Sequence, residues 1–167
     1  MKRKFEMDYG PGKVLYDWWQ ALDDDRAGCA VLRRAYDITA VVLTGPYQRV
    51  HRRVCDAGWN DQRRDDALAA AVGLLAHVKE RDDGKSLAAS MSARIEGGDR
   101  PCVSELRFKR LLDAPNVETL FGGLRRVLPL MNYRVDVMAL ANDVVEWGDQ
   151  VKKFWAYGYD WPAKSND

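Results

Sequence analysis

The chain has 167 residues, of which 47% are hydrophobic and 31% are charged, and its formal net charge is +1. This composition indicates one globular domain, or two small lobes that share a core, and excludes an intrinsically disordered chain. The longest weakly polar run, residues 67–76, is too short to span a membrane and no apolar stretch follows the basic N-terminus, so a cytoplasmic protein without a secretory signal is expected.

Apolar residues recur at helical spacing through most of the chain, which predicts an all-α helical bundle of about eight helices. Tyr16, Trp19 and Leu22 mark the first helix. The next helices are expected around residues 28–36, 46–56, 61–80, 86–94 and 104–112. Pairs that contain Gly or Pro separate these segments, and no stretch shows sustained strand alternation.

Two longer helices are predicted towards the C-terminus. The first covers residues 116–131, with Asn116 as N-cap and an apolar arc that runs from Val117 to Met131. The second covers residues 137–155 and turns three acids to solvent: Asp143, Glu146 and Asp149. The GDRP segment at residues 98–101 divides an N-terminal helical lobe, residues 1–98, from a C-terminal helical lobe, residues 99–167, although one compact unit fits the same pattern.

The sequence contains no motif that requires an enzyme. His51 and His77 do not have the spacing of a zinc site, and the acidic runs at 23–25, 65–66 and 82–83 fall at predicted helix ends, where solvated carboxylates are expected. The three cysteines are odd in number and widely spaced, which indicates reduced structural thiols. We therefore expect no catalytic residue, metal, cofactor or small-molecule substrate.

Basic residues are concentrated in two blocks of the chain. Residues 26–64 hold eight Arg or Lys against three acids, and residues 100–134 hold seven against three. Such blocks suit a polyanion, but solvated helix faces would give the same pattern. Arg107 and Arg110 are one helical turn apart, Lys109 points elsewhere, and Arg126 is nearly opposite the apolar arc that Arg125 flanks. These arginines are predicted to form a ridge that faces phosphates.

An ordered set of short motifs resembles a known family. The motifs are WxxL at 19–22, AVLRRA at 30–35, GWNDQRR at 58–64, SELRFKRLL at 104–112, LRRVLPLM at 124–131 and EWG at 146–148. Over residues 14–155, this order and spacing resembles the small subunit of the type I-E CRISPR Cascade complex, the CasB family. No single motif is specific, whereas the ordered set is.

The resemblance implies a non-catalytic, all-α subunit of an RNA-guided surveillance complex in antiviral defence. Its expected partners are the backbone and large subunits, a second copy of itself, the crRNA–target DNA and the displaced DNA strand. Such subunits hold DNA as the R-loop opens, and a separate helicase-nuclease then cuts it. Because guide pairing reads the sequence, the subunit needs only contacts to the nucleic-acid backbone.

Carried over residue by residue, the resemblance and the helical geometry predict nine nucleic-acid-binding residues. Arg33 and Arg34 match the first LRR pair of the family, and Arg125 and Arg126 match the second. Arg63 and Arg107 match single basic positions, Lys152 falls near a basic cluster after the WG dipeptide, and local helical geometry adds Lys109 and Arg110. Asp149 departs from the family pattern near Lys152, which weakens the prediction for the last helix.

Two other interpretations remain open. A purely structural helical adaptor, in which basic faces meet acidic faces of partners, would show the same charge blocks, whereas a metal-dependent nuclease has little support. Trp19, Trp59 and Trp147 are predicted to anchor the core rather than stack on bases. The aromatic tail, residues 155–161, either caps the core or docks on a partner.

Overall fold

The computed structural model describes residues 4–163. Its helices are α1 (Gly10–Ala21), α2 (Arg26–Arg34), α3 (Ile38–Val42), α4 (Gly45–Asp56), α5 (Asp65–Leu75), α6 (Leu87–Ser92), α7 (Glu105–Leu112), α8 (Val117–Val127), α9 (Val137–Val145) and α10 (Asp149–Gly158). Two short strands, β1 (Glu80–Arg81) and β2 (Arg134–Val135), and 3-10 turns at Leu22–Asp24, Gln62–Arg64 and Leu128–Met131 complete the described part. The predicted all-α class is confirmed, with ten helices where about eight were expected.

Polar side chains fix the start of seven of these helices. Each accepts a hydrogen bond from a backbone N–H of the first turn, which would otherwise lack a partner. The seven caps are Asp25, Asp37, Thr44, Ser86, Ser104, Asn116 and Asp136. The predicted N-cap at Asn116 is therefore confirmed, and its side chain bonds the N–H of Thr119 at 2.9 Å.

Helix α5 lies at the centre of the core. All its residues from Ala67 to Leu75 are buried, and α3, α8 and α9 pack around it. Small side chains let these helices come close: a Cβ added at Gly73 would lie 2.8 Å from Cγ2 of Val41 and 3.0 Å from Cε2 of Phe121. A helix that is apolar all round is stable only when it is enclosed in this way.

The two strands form a parallel pair that the sequence did not predict. Glu80 pairs with Arg134 and Arg81 with Val135. The pair joins the segment after α5 to the segment after α8, and the N–H of Lys79 extends it by donating to the carbonyl of Tyr133 at 2.9 Å. It therefore fixes where the chain leaves the central helix.

The predicted last helix is two helices. The helix expected over 137–155 breaks between α9 and α10, where Gly148, a poor helix former, becomes the N-cap of α10. The break brings Trp155 back over α9, and its Nε1 donates to Oδ2 of Asp143 at 2.8 Å. Asp143 is 4% exposed, so the prediction that it faces solvent was wrong.

The aromatic tail caps the core. Trp155 and Tyr159 are buried, and the ring of Tyr159 stacks on Phe108 with centroids 4.0 Å apart. The ring of Trp161 forms T-shaped contacts with both Phe108 and Tyr159. The three anchor tryptophans also pack as predicted, and the Nε1 atoms of Trp19, Trp59 and Trp147 donate to Val78 O, Asp65 Oδ1 and Ala114 O.

Residues 4–9, here called the N-terminal strap, are tied to α9 by a buried amide. The side chain of Asn142 accepts from the N–H of Phe5 at 2.9 Å and donates to its carbonyl at 3.0 Å. The Phe5 ring stacks on Trp59. Hydrogen bonds from Lys4 and Arg64 lower the pKa of Asp61 to about 2, so this carboxylate stays charged beside the strap.

One continuous hydrophobic core includes residues from both predicted lobes. The division at residues 98 and 99 stays a prediction, and the outer ends of the two lobes, residues 1–3 and 164–167, lie outside the described residues. No helix within residues 4–163 combines the length and the apolar character needed to span a membrane.

Replacing Asn142 should destabilise the protein. Asn142→Ala leaves both backbone groups of Phe5 without partners in the core, so we expect the free energy of unfolding to fall by about 2–4 kcal/mol. Chemical denaturation measures this change. As a control, Asn60→Ala at an exposed position should change the free energy of unfolding by no more than about 0.5 kcal/mol. An equally small effect of Asn142→Ala would contradict the stabilising role of the contact between Asn142 and Phe5.

Candidate nucleic-acid interface

The nine predicted basic residues do not form one surface. Arg33 and Arg34 lie in the last turn of α2, and Lys109 and Arg110 lie in the last turn of α7. Arg125 and Arg126 lie in the last turn of α8. Cations in a last turn complement the negative end of the helix dipole, so part of this pattern serves helix stability.

A groove lies beside α2 and is here called the α2 groove. Its volume is about 1040 Å³, and five basic side chains line it: Arg26, Arg33, Arg34, Lys79 and Arg81. Two acids, Asp23 and Glu80, also line it, together with Trp19 and Cys29. The groove is thus basic on balance.

Arg33 and Arg125 cap the C-terminal ends of other helices. Nε of Arg33 donates to the carbonyl of Ala76, the C-cap of α5, at 2.7 Å, and Sγ of Cys29 donates to the same oxygen at 3.4 Å. Nη2 of Arg125 donates in turn to the carbonyl of Arg33 at 3.2 Å. Since carbonyls at helix ends lack partners within the helix, these two arginines link α8 to α2 and α2 to α5.

His77 lies close enough to Arg33 and Arg125 to be affected by their charges. Its Nε2 is buried without a hydrogen-bond partner in the described part of the chain. Burial, followed by the charges of Arg125 and Arg33, lowers the pKa of His77 to about 4. The imidazole is therefore neutral at physiological pH.

Three of the predicted arginines meet between α7 and α8. Arg107, Arg110 and Arg126 line a pocket of about 120 Å³, here called the arginine pocket. Its other lining residues are Leu111, Ala114, Thr119, Gly123 and Val127. The helices come close because position 123 has no side chain, and a Cβ added there would lie 2.7 Å from Cδ2 of Leu111.

The other predicted residues stand apart from the arginine pocket. Lys109 forms an ion pair with Glu105 at 3.3 Å, and Nζ of Lys152 lies 5.6 Å from the ring centroid of Trp147. Arg63 is exposed in the 3-10 turn before α5. Arg125, which was predicted to share the ridge with Arg107, Arg110 and Arg126, instead contacts α2.

Sequence reasoning missed three lining residues of the α2 groove. Arg26 lies seven residues before Arg33, two helical turns away on the same side of α2, so helical spacing could have found it. Lys79 and Arg81 had no such signal, because the pairing of β1 with β2, distant in sequence, positions them.

A second missed cluster surrounds Asp65. Its Oδ1 accepts from Nε1 of Trp59 at 2.8 Å and lies 3.2 Å from Nε2 of His51. Cys55, four residues after His51, places its Sγ 3.7 Å from the same Nε2. Burial raises the pKa of the Cys55 thiol, which is opposite to the direction that activates a cysteine nucleophile.

All three cysteines are free thiols, as predicted. Across residues 4–163, no group of three His, Cys, Asp or Glu side chains, the cluster at Asp65 included, has an arrangement that could hold a metal ion.

Comparison with known proteins adds two findings. Residues 28–159 match the family model described as CRISPR-associated protein Cse2. The fold matches a chain in a crystal structure of E. coli Cascade bound to a PAM-containing dsDNA target, with a TM-score of 0.65 and 24% identity, over 92% of this chain and 95% of that chain. At this identity, the second match shows a shared fold. The sequence has no significant match among curated proteins.

The neutral state of His77 should make stability depend on pH. Because its pKa is about 4 in the folded state and about 6.5 when unfolded, the unfolded chain binds more protons between these values, so acidification disfavours folding. When the pH is lowered from 7 to 5, the free energy of unfolding should fall by about 1 kcal/mol less for His77→Leu than for the wild type. This value allows for partial solvation of the ring. Urea unfolding at each pH measures this, and parallel profiles would contradict it.

Proposed function

The chain belongs to the CRISPR-associated Cse2 family, as its ordered motifs indicated, and from this premise we propose that it is the small subunit of a type I-E Cascade complex that holds DNA during R-loop formation. Its basic surfaces contact the backbone of the target and displaced strands and stabilise the open state. The subunit works in the cytoplasm, in antiviral defence, and bridges neighbouring subunits. Its neighbours are the backbone and large subunits and a second copy of itself.

One observation carries this proposal: a chain with 26 Lys or Arg and a net charge of only +1 places eight of these side chains around two concave surfaces. The α2 groove contributes five of them and the arginine pocket three. Localised basic faces attract a polyanion, while the remaining near-neutral surface avoids non-specific association with it. Arginine suits this role because its planar fork matches phosphate oxygens.

Modest backbone contacts are enough for such a role. R-loop formation replaces one duplex by another of about equal stability, so a few contacts to phosphates shift the balance towards the open state. Guide pairing reads the sequence, and the subunit therefore needs neither base-reading side chains nor catalytic groups. We accordingly propose a non-catalytic protein.

A structural adaptor is the second candidate, because basic helix faces can also meet acidic faces of protein partners. Tyr157, Leu43 and Tyr36 are 93%, 79% and 73% exposed, so their side chains are accessible to such partners. The two functions are compatible, since a subunit that holds DNA in a complex must also dock on protein neighbours.

The arginine pocket offers a direct test of the DNA-holding role. In the assembled complex, Arg107→Ala combined with Arg126→Ala should weaken binding of target DNA and flatten its salt dependence. Each lost phosphate contact reduces the slope of log K against log salt by about 0.7–0.9. Filter binding at several salt concentrations measures both quantities.

The matched control is Arg52→Ala combined with Arg53→Ala. These arginines are exposed on α4 and line neither the α2 groove nor the arginine pocket, so the control removes the same charge elsewhere. It should keep both affinity and slope. Equal losses in the two double variants would show an effect of net charge alone, and complexes that fall apart would favour the adaptor.

A further inference from the structure

The arginine pocket has a chemistry that the α2 groove lacks. In the described part of the chain, no acidic side chain lines the pocket, and the guanidinium groups of Arg107, Arg110 and Arg126 make no ion pair or side-chain hydrogen bond. Arg64, by contrast, pairs with both Asp61 and Glu146. Three adjacent cations without a counter-charge repel one another and raise the local potential, so the pocket favours an anion.

The pocket is small. Its volume is about 120 Å³. Pockets for larger ligands, such as a nucleoside, span about 300–1,000 Å³. The space therefore suits a small anion, such as one tetrahedral oxyanion, better than a base with its sugar.

Apolar side chains and close helix packing form the floor of the pocket. Leu111, Ala114 and Val127 are buried there. Gly122 also leaves room beside Arg126, and a Cβ added at Gly122 would lie 3.7 Å from Nη1 of that arginine. An apolar floor strengthens the attraction between an anion and the arginines above it.

We propose that Arg107, Arg110 and Arg126 form a binding site for a single phosphate group, held between α7 and α8. Guanidinium groups bind phosphate through paired N–H···O bonds, and three of them offer enough donors to surround its oxygens. The phosphate belongs either to the backbone of a nucleic-acid strand or to a free or terminal phosphate. Of these two sources, only the nucleic-acid strand rests on the proposed function. Such a site would fix one phosphate of the strand in register with the subunit, whereas the α2 groove would guide the strand loosely.

Titration of the purified full-length protein with inorganic phosphate tests the site directly. Calorimetry in a chloride buffer at constant ionic strength should show one saturable site. Arg126→Gln should weaken phosphate binding about tenfold, because one charged hydrogen-bonding partner is lost. Arg53→Gln is the matched control: Arg53 also lies in the last turn of its helix but does not line the pocket, and it should leave the affinity unchanged.

Two oligonucleotides separate the possible sources of the phosphate. One short thymidine oligonucleotide carries a 5′-hydroxyl and the other a 5′-phosphate. If the strand backbone fills the pocket, inorganic phosphate should displace both equally well. Tighter binding of the 5′-phosphorylated strand alone would identify a terminal phosphate as the occupant. Both outcomes support the site.

Absence of saturable phosphate binding, or equal weakening by Arg53→Gln and Arg126→Gln, would overturn the phosphate site. If the assembled complex still bound DNA in an Arg107- and Arg126-dependent manner, the proposed function would stand without it. Conversely, if the protein bound phosphate saturably but its assembled complex needed neither Arg107 nor Arg126 to bind DNA, the phosphate site would stand. Its proposed role in holding a DNA strand would then be wrong.

Discussion

Helix α5 has no solvent-facing side from Ala67 to Leu75, so its backbone ends must find their hydrogen-bond partners within the protein. At its C-terminal end, Arg33 and Cys29 bind the carbonyl of Ala76, and Trp19 binds that of Val78. All three side chains line the α2 groove. The groove is therefore where the buried helix is closed off, and its basic character follows in part from the need to satisfy a negative helix end.

The arginines of this protein serve two physical purposes. Arg33 and Arg125 satisfy carbonyl groups at helix ends, so replacing either would disturb the packing of α2, α5 and α8. Arg107, Arg110 and Arg126 have no such task within the described residues and line an unpaired cationic pocket. Loss of DNA binding after substitution at the first pair would thus be hard to separate from loss of structure, whereas the second group permits a clean interpretation.

Sequence patterns predicted the structural features that depend only on residues close together in the chain. The cap at Asn116, the arc of α8 and the outward direction of Arg126 all follow from helical periodicity. The contact of Trp155 with Asp143 across the break at Gly148 joins two helices and is not visible in periodicity, and the positions of Lys79 and Arg81 depend on a strand partner more than fifty residues away. Likewise, spacing placed Arg125 beside Arg126 but could not show that it reaches α2.

The link between Phe5 and Asn142 also constrains the order in which the protein can fold. It joins residues 137 positions apart, so closing this loop carries a large entropic cost that only a nearly finished structure offsets. During synthesis, the N-terminal strap leaves the ribosome long before its partner α9 is made. Until then Phe5 has no amide partner and its apolar ring lacks its complete site. The strap is therefore among the last elements to dock, and the core around it stays unfinished until α9 has been made.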